Sequence, residues 1–396
     1  MHSQEMKNRI GDLVKQIREN PELSGEEVFA CALQTAFLRE RGFTVETPIA
    51  GEKTAYKAVF TVHAGAGEGE KVPSFAFCAE YDALPHVKHG CGHPLIMGSA
   101  LAAAVELKAL LEEKGVPGRI IVLGCPAEET YGGKIRIAES GAAEEADAFL
   151  MAHPVSGFSA LGDVAYSGIR SVKIVFRGSG GSGAARMANP AFVNPLDAQN
   201  LLYGAVAMRR HFFPRDVAIA GVISDGGKRA NLLPVSCESN YTVRSQDPAH
   251  LEEYTLLLRT MAEGASLMTG TEAEVTFGKP WLPTRPNKVL NKSFLDAMEK
   301  RGFKADRTPP CRGGCFAGTD FGKLSQMRPA CHLHFPIMKA AAAHTEEFAR
   351  ISGEAPAAES MFAAGESMAE TAFAFLADEK FRASVKEAFT QDVFEE

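Results

Sequence analysis

Apolar positions near the start of the chain recur at helical spacing: Met6, Ile10, Leu13, Val14 and Ile17 define a first helix. A second is predicted after ENPELSGEE, where Ser24 followed by Glu27 has the pattern of a capping box. Its apolar face runs through Val28, Ala32, Leu33, Ala36 and Phe37, and Gly42 marks its stop. The pattern then shortens. TAYKAVFTVH (54–63), SFAFCA (74–79), GRIIVLGC (118–125) and ADAFLMAH (146–153) read as strands. The last three are almost unbroken apolar runs, the mark of strands covered on both faces. Between them LIMGSALAAAVELKALLEEKG (95–115) is a strongly apolar helix closed by a glycine. Strands alternating with helices predict an α/β fold with an open, mostly parallel sheet.

From about residue 170 the order changes. SVKIVFRG, VAIAGVISDGG, ESNYTVRS and EAEVTFG read as strands, with helices at 196–213 and 251–270. The sequence β-α-β-β-α-β is that of a ferredoxin-like α+β domain. PWLPTRPN (280–287) reads as a return linker. After it the α/β pattern resumes with a helix at 288–302, a strand near 328–334 and closing helices from about 355. The expected organisation is therefore a domain of residues 1–169 and 286–396, with residues 170–285 inserted into it. FRGSGGSGAARMANP (176–190) has the composition of a flexible linker, yet it falls inside the insert, just after its first strand.

Composition narrows the function classes. The 396 residues suit two domains, and 45% hydrophobic with 23% charged residues argue against disorder. The net charge is -7, and no segment interleaves basic with aromatic residues, so no nucleic-acid partner is expected. No apolar run approaches the roughly 20 residues of a membrane helix, and MHSQEMKNRIGDLVKQIREN has no apolar core of a signal peptide, so a cytoplasmic protein without a membrane partner is expected. The eight cysteines are scattered, which predicts free thiols; Cys311 and Cys315 in CRGGC read as loop thiols rather than a metal pair.

Three segments fall where strands of the parallel sheet end, the place where open α/β sheets gather ligands. EYDALPHVKHGCGHP carries Glu80, Asp82, His86, His89, Cys91 and His93; CPAEET carries Glu128 and Glu129; His153 follows the third strand. Thiol, imidazole and carboxylate together suit zinc or a neighbouring divalent metal. Two adjacent acids after an apolar strand allow one to bind metal and the other to stay free as a base.

EYDALP, HGCGH, GCPAEETYGGK, MAHP, GTDFG and AHTEEF, in this order, resemble the metallopeptidase family 20 amidohydrolases, in the branch of aminobenzoyl-glutamate, hippurate and auxin-conjugate hydrolases and β-alanyl-lysine dipeptidase-like proteins. The resemblance runs from ENPELSGEE to the last helices. It implies a di-metal catalytic domain with an inserted lid or dimerisation domain, a homodimer, and two divalent ions, zinc or manganese. It implies Cys91, His93, Glu129, His153 and His344 as metal ligands, with Cys91 placed to bridge. Glu128 resembles the general base, and Asp82 the buried acid that orients a ligand. Asn231 of RANLLP and Arg244 of YTVRS resemble groups that hold substrate, and Thr319 and Asp320 the loop beside the site. The implied activity is hydrolysis of the amide bond of N-acyl amino acids or dipeptide-like substrates with a free carboxylate, which a forked arginine suits.

Two departures stand out. Where the family continues HGCGH with Asn or Asp, this chain has Pro94, a residue well suited to the first turn of a helix. Where the family carries a histidine that polarises the scissile carbonyl, this chain has GSGGSG. Counting forward puts Ser182 there, counting back from NPLDA puts Ala184 there, and no histidine occurs between His153 and His211. Three readings remain open: Ser182 or His211 supplies the donor; the chain is a weak or altered hydrolase, even a non-catalytic binder of small carboxylates or a partner subunit; or the loop departs from the natural one.

Overall fold

The structure, a computed structural model, describes residues 4–64, 71–182, 192–308 and 311–391. The chain begins with α1 (Gln4–Glu19), α2 (Val28–Glu40), β1 (Thr44–Glu46), β2 (Tyr56–Val62), β3 (Ser74–Glu80), α3 (His93–Lys114), β4 (Gly118–Cys125), α4 (Gly133–Glu139), β5 (Phe149–Val155) and β6 (Ser159–Leu161). Then come β7 (Gly168–Arg177), β8 (Gly181–Ser182), α5 (Pro195–Arg209), β9 (Val217–Asp225), β10 (Leu232–Leu233), β11 (Ser236–Ser245), α6 (Pro248–Thr269) and β12 (Glu272–Phe277). It closes with α7 (Lys288–Lys300), β13 (Lys304–Asp306), α8 (Gly322–Met327), β14 (Ala330–Pro336), α9 (Glu346–Ile351), α10 (Ala355–Ala377) and α11 (Glu379–Ala388). Two compact units result: residues 1–165, 284–310 and 319–396, and residues 166–283 with 311–318.

The first unit is built on an eight-stranded sheet in the order β1-β2-β4-β3-β5-β14-β6-β13. β3 runs parallel to β4 and β5, and β14 parallel to β5, whereas β2 is antiparallel to β4. The unbroken apolar runs have the expected cause. Phe75, Phe77 and Ala79 of β3 enter the larger core, while Ala76 and Cys78 enter a second core on the opposite face. β4 divides likewise, Ile120 and Val122 to one side and Ile121, Leu123 and Cys125 to the other. Both faces are covered, so the inner residues of these strands are apolar on either side.

α3 departs from expectation in one respect. It is long and apolar enough to cross a membrane by length and composition, yet 78% of that stretch is buried inside the protein. Its cover is mainly α10, and the crossing is tight. A Cβ on Gly365 of α10 would lie 2.7 Å from Ala102 Cβ and 2.9 Å from Ser99 O. Pro94 sits in the first turn of α3, as its lack of an N–H allows.

The capping box before α2 does not form. Glu27 holds the cap position without a side-chain cap bond. Its carboxylate is buried instead, accepting from Gly25 N, Ala127 N and Thr54 Oγ1, while Ser24 Oγ donates to Asp82 Oδ2 at 2.8 Å. Inward anchoring of Glu27 also shifts the buried face of α2 to Ala30, Cys31, Gln34, Thr35, Phe37 and Leu38, leaving Val28 64% exposed. All eight cysteines are free.

The second unit carries an antiparallel sheet in the order β12-β7-β11-β9. This is the order a β-α-β-β-α-β chain adopts when both helices cover one face, and α5 and α6 share its core with Ile174, Phe176 and Val243. The described part of the stretch that reads as a linker, residues 176–182, is held by specific contacts. Gly178 N donates to Val235 O at 2.9 Å, and a Cβ there would lie 2.4 Å from Val193 O. Gly180 and Gly181 take positive φ (62° and 126°), which lets the chain turn into the short β8–β10 pair.

The α3–α10 crossing gives a direct check. Gly365→Val is expected to lower the stability of the first unit by about 1–3 kcal/mol through overpacking. Denaturant unfolding measures it, and an unshifted midpoint would refute the close approach.

Candidate metal centre

The carboxyl ends of β4, β3 and β5 stand side by side, and each releases a chemically loaded segment. From β3 the chain passes through Asp82 and Cys91 to His93, the first residue of α3. From β4 it enters a tight turn carrying Glu128 and Glu129. That turn is pinned by Ala127, which has positive φ (58°) and donates its N–H to Glu27 Oε1. His153 lies within β5, and His344 precedes α9 with its backbone N–H bonded to Gly90 O at 2.8 Å, tying its loop to the Cys91 loop.

These side chains converge. Cys91 Sγ lies 3.4 Å from His153 Nε2, and Glu129 Oε1 lies 3.6 Å from His93 Nε2 and 3.7 Å from His344 Nε2. Donor atoms fall within 4.8 Å of one another in the sets Cys91–His93–His153, Cys91–Glu129–His344 and His93–Glu128–Glu129.

Hydrogen bonding presets the imidazoles. His93 Nδ1 faces two acceptors, Asp82 Oδ1 and Asp82 O, each at 2.9 Å, so it carries a proton and Nε2 is the nitrogen turned toward Glu129. His153 Nδ1 donates to Pro154 O at 2.7 Å, which leaves its Nε2 lone pair aimed at Cys91. Asp82 is buried, and its other oxygen accepts from Ser24 Oγ at 2.8 Å and Glu129 N at 3.0 Å. Burial pushes the Asp82 carboxyl up, but His93 and these donors outweigh it and hold the group at about 2.

The residues fit a cation. His93 Nε2 and Glu129 Oε1 are buried without a hydrogen-bond partner and face each other across 3.6 Å. Burial pushes the Cys91 thiol up to about 12 and the His153 imidazole down to about 4, so these two donors are neutral in the protein alone, whereas at His93 burial is outweighed by Asp82, which raises the group well above the ordinary imidazole range. A positive ion reverses that balance and turns the thiol into a thiolate ligand.

Glu128 stands at the border of a second cluster. Its carboxylate oxygen lies within 4.8 Å of those of Glu80 and Asp320. Burial and these two neighbours raise it well above the usual carboxylate range. Asp320, expected beside the substrate, is fully buried and accepts the N–H and ammonium of Lys134, while Thr319 Oγ1 accepts from Phe321 N. Asp320 is thus a member of the acid cluster, and its buried carboxylate is matched by a buried cation, Lys134.

In the second unit, Ser182 is paired with Leu232, the residue after Asn231. Arg244 Nη1 donates to Phe316 O at 2.6 Å. His211 is exposed in a single turn of 3-10 helix, and Ala184 lies outside the described residues.

The sequence singles out Glu80 at a strand end but gives it no role; it lies 3.5 Å from His93 Nε2. Three further groups carry no expectation from the sequence: Lys134, which contacts Glu80, and two histidines. His332 and His334 are buried on β14, where His334 is in register with His153 and the His332 and His153 rings stack at 5.5 Å. Two histidines spaced by two within an otherwise apolar strand, CHLHF, are a signal that was available.

Residues 76–367 match the Peptidase family M20/M25/M40. The chain belongs to this family. It is 33% identical to the mouse Xaa-Arg dipeptidase over 361 residues, covering 88% of this chain and 81% of the relative. It is 28% identical to one component of the Escherichia coli p-aminobenzoyl-glutamate hydrolase, over 75% of this chain and 63% of that one. Its fold is shared with a Bacillus subtilis structure described as a dinuclear metal binding peptidase from the M20 family, with a TM-score of 0.70, 18% identity, and coverage of 94% and 99% of the two chains. The protein is thus an enzyme of the peptidase and amidohydrolase class.

Asp82 offers the sharpest test of this M20 centre. Asp82→Asn keeps the shape but weakens the acceptor that fixes His93. Zinc affinity is expected to fall about 10–100-fold, the usual effect of losing such a partner. Competition with a chelator measures it, and unchanged affinity would show that Asp82 does not orient the site.

Proposed function

We propose that this protein is a metal-dependent amidohydrolase that cleaves the amide bond of N-acyl amino acids or dipeptide-like substrates bearing a free carboxylate. The observation that carries the reading is the position of Cys91, common to the donor set with His93 and His153 and to the set with Glu129 and His344. A sulfur within reach of both sets is placed to serve two neighbouring ions, and a thiolate favours zinc over harder cations. Two divalent ions, zinc or manganese, would polarise the scissile carbonyl and lower the pKa of water in the site.

The chain's own residues would do the rest. His93 and His153 hold the ions through Nε2, with Asp82 and Pro154 O fixing their rings. Glu128 takes a proton from the attacking water and returns it to the leaving nitrogen. Its raised affinity for protons, set by burial and by Glu80 and Asp320, suits a base that must give its proton back. Arg244, Asn231 and Ser182 are assigned to the substrate's carboxylate and carbonyl. The relatives named for Xaa-Arg dipeptides and for p-aminobenzoyl-glutamate support a substrate ending in an amino acid. The second unit is assigned the role of lid and dimerisation domain in a homodimer. Among the described residues β9 is an edge strand with Val222 58% exposed, which supports an interface there.

A second reading rests on one observation, the lack of any histidine between His153 and His211. It makes the chain an impaired or non-catalytic member that binds small carboxylates. Loss of an oxyanion donor costs about 10²–10³-fold in turnover.

Two variants separate these readings. Glu128→Gln is expected to lower hydrolysis of N-acyl amino acids or dipeptides by about 10²–10⁴-fold while zinc content stays constant. Equal rates would sink the role of Glu128, and no turnover in the unaltered protein would favour the second reading. Ser182→His is expected to raise kcat; no gain would remove Ser182 from the scissile carbonyl.

A further inference from the structure

Lys134 is fully buried at the second residue of α4. Its ammonium lies 2.6 Å from Glu80 Oε1 and bonds Asp320 Oδ1, and its backbone N–H donates to Asp320 Oδ2 at 2.9 Å. Glu128 completes the group, since carboxylate oxygens of Glu80, Glu128 and Asp320 lie within 4.8 Å of one another. Three carboxylates so placed would hold a divalent ion if nothing else neutralised them. Here a tethered ammonium does so. Burial by itself disfavours that charge, but Asp320 and Glu80 hold Lys134 well above the ordinary lysine range.

Glu128 has a foot in both clusters, because it is also within 4.8 Å of donor atoms of His93 and Glu129. A carboxylate there can turn toward either. The backbone leaves little slack between Glu128 and Lys134: a Cβ on Gly133 would lie 2.1 Å from Pro126 O, so the two ends of the turn are in contact. Displacing Lys134 therefore disturbs the turn that presents Glu128.

We propose that Lys134 is a positioning residue whose ammonium fills the cation site among Glu80, Glu128 and Asp320, and so keeps Glu128 out of metal coordination and available as the base. This rests on the amidohydrolase reading above. The sequence Asp320–Lys134–Glu80–His93 also carries the influence of Lys134 to the imidazole of the metal centre, since Glu80 Oε2 lies 3.5 Å from His93 Nε2.

The test compares the unaltered protein with Lys134→Ala, each stripped with chelator, reloaded with zinc and dialysed. Metal analysis of Lys134→Ala is expected to find more zinc per chain. Its kcat should fall by about a hundredfold or more, the lower range for a lost base, with KM within about threefold. Methylammonium should restore part of kcat in a saturable manner. Unchanged zinc content and kcat overturn the inference, as does loss of zinc together with loss of activity. If Lys134→Ala does not fold, Lys134→Met combined with Asp320→Asn removes one charge of each sign, and a fully active double variant overturns the inference. Absence of bound zinc and of hydrolysis in the unaltered protein sinks the amidohydrolase reading instead; zinc uptake by Lys134→Ala then decides on Lys134 alone.

Discussion

The carboxylate of Asp82 holds the candidate site together. One oxygen fixes His93 at the start of α3, and the other receives Ser24 Oγ and the backbone N–H of Glu129. Three separate stretches of chain, from before α2, after β3 and after β4, thus meet on one buried acid. Hydrogen bonds to a charged acceptor are each worth about 1.5–3 kcal/mol. Their larger effect is geometric. They hold a proton on His93 Nδ1, and they set Glu129 opposite Nε2. Glu27 repeats the device one layer further out, binding Gly25 N, Thr54 Oγ1 and Ala127 N. The turn bearing both catalytic candidates is therefore hung from side chains of the segment before α2, which contributes no candidate ligand of its own.

Much of the fold was legible because periodicity survives packing. β3, β4 and β5 are mainly apolar since each faces two cores, and β7 alternates because Val172, Ile174 and Phe176 enter the core under α5 and α6. The helix α2 was legible in extent but not in facing. Ser24 and Glu27 have the chemistry of a capping box, yet both were claimed by acceptors and donors about 30 to 100 residues away in sequence. Local propensity cannot register such competition. The same holds for Asp320, whose motif pointed to the substrate and whose partner is Lys134.

The site was legible as a set of donors and not as a network. Cys91, His93, Glu128, Glu129 and His153 stand at strand ends, where composition and topology coincide. Glu80 stands among the strand-end candidates without a role, and Lys134 does not announce itself, because a lone lysine after two glycines reads as a solvated turn. His332 and His334 were hidden by distance, entering the site only through the parallel pairing of β14 with β5. Burial holds both neutral, the His334 group at about 3. They line the floor beneath His153 without adding charge.

Two sources of positive charge then serve the acids at this edge of the sheet, and they differ in kind. A tethered ammonium is permanent: Lys134 cannot dissociate, and its burial is tolerable only because Asp320 and Glu80 accept it. A bound ion is exchangeable, and the donors left for it are those that face no ammonium: Cys91, His93, Glu129, His153 and His344. Glu128 lies between the two sets. If both sets were filled by exchangeable ions, this carboxylate would be a ligand whichever way it turned. With one side closed by Lys134, Glu128 is not shared equally between the two sets, and under the proposed function that asymmetry would separate a base from a ligand in two neighbouring glutamates of the same turn.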